Sequence, residues 1–98
     1  MDSLFFTFED SRIIIASLDA FMDDMKKNCP PSAQRSFILS RMNSVRSRFA
    51  LGGFGFTAGE LRNVCIALES TLVNNPLDWR VSSLYERLKA YSGYVPEK

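Results

Sequence analysis

The residues equipped for catalysis are few and scattered. The 98-residue chain contains no histidine. The commonest general base, the usual activator of a hydroxyl or thiol nucleophile and the commonest zinc ligand are therefore missing together. Two cysteines, Cys29 and Cys65, lie far apart and form no closely spaced motif, so reduced thiols are the expectation. Two distant thiols make no zinc site without carboxylate help. Carboxylates pair at Glu9-Asp10 and Asp23-Asp24, but adjacent helical residues project about 100° apart and do not converge on a substrate. Asp19 and Asp23 share a face at i, i+4 and, lacking a third acid opposite, read as a solvated patch. No catalytic, cofactor-binding or metal-binding residue is assigned, and an enzyme is not expected.

Anion binding is the next chemistry to test. The stretch Leu51-Gly52-Gly53-Phe54-Gly55-Phe56-Thr57-Ala58-Gly59-Glu60 precedes a helix start, where free backbone N–H groups could hold a phosphate. It lacks the Gly-Lys-Ser/Thr ending of a phosphate loop, and Glu60 in the first turn would repel an anion. It reads as a helix-to-helix connection.

Charge is unevenly distributed. Residues 1–28 carry six acids and three bases (−3), residues 29–53 carry four arginines and no acid (+4), and the remainder carries five of each. Arg35, Arg41, Arg46 and Arg48 invite a nucleic-acid reading, because arginine is the usual phosphate and guanine ligand. On a helical projection, however, they flank the apolar stripe in two pairs, and the outward face is Ser36, Ser40, Asn43, Ser44 and Ser47. Bases bordering a buried seam suit snorkelling over the core and pairing with the acidic first helix.

The elements that position these side chains announce themselves at two places fifty residues apart. Phe6-Thr7-Phe8-Glu9-Asp10-Ser11-Arg12 and Phe56-Thr57-Ala58-Gly59-Glu60-Leu61-Arg62 both read as capping boxes. The threonine caps free N–H groups, and an acid three residues on reaches back to the cap's own N–H. Helix one is expected from about Phe8 to Asn28, before Pro30-Pro31, with Ile14, Leu18, Phe21 and Met25 on one face, widened by Ile15 and Met22. A second, narrower ridge of Ile13, Ala16 and Ala20 lies on its far side.

Helix two is expected from about Pro31 to Ala50, stopped by Gly52-Gly53, with Ile38, Met42, Val45 and Phe49 buried. Helix three follows Thr57 and buries Leu61, Val64, Cys65, Leu68 and Leu72, which makes Cys65 a small core residue. Asn75 is expected to cap helix four, with Pro76 at its first position and Leu77, Val81, Leu84, Leu88 and Tyr91 on its buried face. Ser92-Gly93 closes it. Leu4-Phe5-Phe6 and Phe54-Gly55-Phe56 are short apolar pieces expected to plug bundle ends.

The expected fold is all-α: a four-helix up-down antiparallel bundle in a single domain, with helical hairpins over 7–50 and 57–92 and a tail over 93–98. The second helices also correspond at an offset of 46, Pro30 to Pro76 and Met42 to Leu88, so an internal duplication is a working hypothesis. No apolar run reaches the roughly 18–20 residues that span a bilayer, and the N-terminus lacks a basic region for a signal peptide. A cytoplasmic location and no membrane partner are expected.

Surplus apolar surface then points to function. Trp79 lies well off the helix-four stripe, Tyr85 flanks it, and Ile66 and Val73 lie off the stripe of helix three. With Ile13, Ala16 and Ala20, Trp79 forms the candidate partner-binding set. The leading expectation is a small non-enzymatic protein–protein interaction module, an intracellular regulator or adaptor whose ligand is a protein, with a homodimer among the options. The alternative is a nucleic-acid-binding regulator that uses Arg35, Arg41, Arg46 and Arg48.

Overall fold

The computed structural model describes residues 6–52 and 55–96. Leu4, Phe5, Gly53 and Phe54 lie outside the described residues. The chain forms four helices: α1 (Phe8–Asn28), α2 (Ala33–Ala50), α3 (Ala58–Asn74) and α4 (Trp79–Ser92), with no strand among the described residues.

Both expected capping boxes are formed. The Thr7 hydroxyl accepts the Asp10 N–H at 3.0 Å, and the Asp10 carboxylate accepts the Thr7 N–H at 3.1 Å. Thr57 and Glu60 repeat the exchange at 3.1 and 2.8 Å. In α1, Glu9 and Asp10 in the first turn and Lys26 and Lys27 in the last complement the helix dipole. Helix α2 begins two residues later than expected, because Ser32 caps it by accepting the Arg35 N–H. Leu51 is its C-cap, followed by Gly52 at φ +73°, a left-handed conformation that glycine adopts without steric cost.

Helix α3 is the centre of the molecule. It packs on α4 and on α1, and more lightly on α2, while α1 also packs along α2. Leu61, Val64, Cys65, Ala67 and Leu68 are consequently sealed from solvent. They join Ile14 and Leu18 of α1, Met42, Val45 and Phe49 of α2, and Val81, Leu84 and Leu88 of α4 in one core. Each large apolar side chain so buried stabilises the fold by about 1.5–3 kcal/mol relative to exposure. Cys65 is a core residue as expected, and burial pushes its thiol pKa up, away from nucleophilic character. One end is closed by aromatic rings: Phe49 stacks on Phe56 at 4.1 Å, and Phe6 meets both edge-on. For these residues the expected plug is present.

Helix α4 departs from expectation. Asn75 ends α3, and its carbonyl accepts the Asp78 N–H at 3.1 Å, closing a turn. Asp78 caps α4 through the N–H groups of Arg80 and Val81. Pro76 therefore precedes the helix. Leu77, placed before the helical register begins, is 93% exposed, not buried. The buried face is also rotated from the expected one. Tyr85 and Ser92 take places in the core, while Tyr91 is 53% exposed. Glu69 of α3 makes this possible, because its carboxylate accepts the Tyr85 hydroxyl at 2.8 Å and the Tyr94 hydroxyl at 3.3 Å. Burial together with that acceptor raises the Tyr85 pKa. A buried tyrosine needs such a partner. Gly93, at φ +73°, then closes α4.

Candidate functional site

Helices α1 and α4 are not packed side by side like the other neighbouring helices. The first turns of α1 meet two turns of α4, and a cleft of about 570 Å³ opens between them. One wall is Thr7, Glu9, Asp10 and Ile13; the other is Trp79, Arg80, Ser83, Leu84 and Arg87. On α4, Arg80, Ser83, Leu84 and Arg87 recur at i, i+3, i+4 and i+7, one helical stripe, with Trp79 beside its start.

Two ion pairs tie the walls together. Arg80 donates to Glu9 at 2.9 Å, and Arg87 donates to Asp10 at 2.8 Å. Asp10 does double duty, since the same carboxylate completes the α1 capping box. Burial opposes its ionisation, but the Arg87 hydrogen bond, the Thr7 N–H and the Arg87 charge outweigh that and hold its pKa below the ordinary carboxylate value. At the cleft base, Leu84 is buried and Ile13 is half-buried against the core. At the rim, the Trp79 ring is 72% exposed, with the Arg80 guanidinium 5.6 Å from its centroid. The assembly is an apolar base with an aromatic rim and opposite charges on facing walls. Such a surface can hold another polypeptide by burial of the ring and by polar pairing around it.

Of the four partner candidates, the structure places Ile13 and Trp79 on opposite walls of one cleft. Ala16 shares an adjacent shallow recess with Glu9, Arg12 and Ile13. Ala20 is exposed a turn further along α1. The Ile13–Ala16–Ala20 ridge is thus not one uniform surface, because Ile13 also contributes to the core. Ile66 is half-buried against that core, and Val73 is exposed.

The arginines of α2 separate. Arg46 forms a two-pronged pair with Asp19 of α1, at 2.6 and 3.2 Å, and this hydrogen bond and charge raise the Arg46 pKa. Arg48 binds Glu60 of α3 at 2.6 Å instead of an acid on α1, and sits 4.5 Å from the Phe56 ring centre. Arg35 donates to the Cys29 carbonyl at 2.9 Å, and Arg41 lies 5.4 Å from the centre of the Phe37 ring. Ser36, Ser40, Asn43, Ser44 and Ser47 form an exposed face, as expected.

Arg80, Arg87, Glu9 and Asp10 escaped the sequence reading as a group. The seven-residue spacing of Arg80 and Arg87 on one helical face was a usable signal. Nothing local could place that face opposite Glu9, 71 residues away from Arg80.

Comparison with protein-family models, with curated proteins and with solved structures finds no match to this chain.

Proposed function

We propose that this chain is a non-enzymatic protein–protein interaction module, a small regulator or adaptor that receives a protein on its α1–α4 face. The supporting observation is Trp79, an exposed aromatic ring at the rim of a cleft whose base is Ile13 and Leu84. Large aromatic side chains beside desolvated apolar pockets supply most of the energy at protein interfaces. No helix among the described residues is long and apolar enough to cross a membrane. We also read the bundle as up-down. Phe6 before α1 meets Phe49 near the end of α2. Contacts of Glu69 with Tyr85 and Cys65 with Ser92 run in opposite directions along α3 and α4.

Affinity capture with the tagged chain, with and without nuclease, tests the function. The expected result is a protein retained after nuclease treatment and lost with Trp79→Ala. Captured material that needs nucleic acid and depends on Arg41 and Arg48 instead of Trp79 would transfer the function to α2.

A further inference from the structure

Granted that the cleft binds protein, as proposed above, we infer that its occupant is a second copy of this chain, packed face to face about a two-fold axis that runs along the cleft. A two-fold interface uses the same patch on both subunits, so the patch must be complementary to itself. A charged patch meets that condition when its opposite signs lie on the two sides of the axis. Here the signs are divided by wall. Glu9 and Asp10 stand on α1, and Arg80 and Arg87 stand on α4. A half-turn about an axis along the cleft exchanges the walls as it brings the faces together. Each copy's Glu9 and Asp10 then oppose the second copy's Arg80 and Arg87. A half-turn about an axis across the cleft sets acids over acids and is disfavoured.

The same operation carries Trp79 over the second copy's α1, where Ile13 and Ala16 line a shallow recess. Glu9 and Arg80 are 52% and 58% exposed, so each keeps hydrogen-bonding capacity for a partner beyond their mutual pair. A net charge of +1 leaves little overall repulsion between copies.

Trp79 is the sole tryptophan of the chain and therefore a built-in reporter. Sedimentation velocity and intrinsic fluorescence across a concentration series should show reversible association with a blue shift of Trp79 emission. Glu9→Arg and Arg80→Glu should each weaken association by about thirtyfold or more, as loss of a hot-spot contact does. Arg80→Glu puts an acid into the first turn of α4, which the helix dipole favours, and circular dichroism verifies that both variants stay helical. An equimolar mixture of the two variants should associate again, because one brings a cleft with three bases and one acid and the other a cleft with three acids and one base. Association of the wild type that neither variant weakens, or variants that fail to associate when mixed, would overturn the two-fold arrangement. A monomeric wild type at every concentration would overturn it too. If that monomer still captures a protein through Trp79, the protein-binding reading stands alone; if it captures none, both fall.

Discussion

The starts of α1 and α3 are the same local device in different surroundings. Thr7 with Asp10 and Thr57 with Glu60 make matching capping boxes, and in both the acid also binds an arginine from another helix: Arg87 of α4 and Arg48 of α2. At the α3 start, the Arg48 guanidinium lies against Phe56, and Phe56 stacks on the buried Phe49, so the rings cover the core there. Burial again opposes ionisation of the acid, yet the Arg48 hydrogen bond and the Thr57 N–H hold the Glu60 pKa low. At the α1 start, Arg87 and Asp10 line an open cleft with an exposed tryptophan at its rim. The end of α2 and the start of α3 are neighbours in sequence, whereas α1 and α4 are joined by the Glu9–Arg80 and Asp10–Arg87 pairs, more than 70 residues apart. One motif therefore closes a core in one place and frames an accessible surface in the other.

The largest expected contrast is between the two aromatic anchors. Phe49→Ala should cost about 3–5 kcal/mol in urea unfolding, since it removes a buried ring from the aromatic cluster. At a protein concentration too low for self-association, Trp79→Ala should cost less than about 0.5 kcal/mol, as expected for a mostly exposed position. A large cost at Trp79 would make it a structural cap and erase the difference between the two helix starts.

The caps come next. Thr57→Ala and Thr7→Ala should each lower stability by about 1 kcal/mol. A double-mutant cycle on Arg48 and Glu60, read by the same unfolding experiment, should return a larger coupling than one on Arg87 and Asp10. Both couplings should stay near or below about 1 kcal/mol, because the arginines are partly exposed. Equal couplings would mean that the aromatic surroundings add nothing to the Glu60 pair.

The smallest effect is a pH slope. Asp10 and Glu60 both have folded pKa values below their ordinary ones. In the acid range the unfolded chain binds more protons, so stability rises with pH there and is lost as pH falls below about 5 through the folded values. Asp10→Asn and Glu60→Gln should each flatten that acid limb when urea midpoints are measured from pH 7 downward. An unchanged limb would mean that neither carboxylate is favourably held in the folded state.

The features legible in the sequence are local. The helix starts at Thr7 and Thr57 were legible because a capping box links residues three apart, whatever lies around it. The stripe that buries Leu61, Val64, Cys65 and Leu68 was legible from helical periodicity. The α4 start was misread because Asn75-Pro76 and Asp78 offer competing local signals, and the Asn75–Asp78 turn chose between them. Packing of the whole chain settled the remainder. It rotated α4 to bury Tyr85 against Glu69 and expose Tyr91, sent Arg48 to Glu60 instead of α1, and brought Ile13 and Trp79 to one cleft. Those outcomes depend on how helices cross and on pairs up to 77 residues apart, as in Arg87 with Asp10. Periodicity shows which residues share a helix face, but which helix that face meets is set by packing the whole core at once.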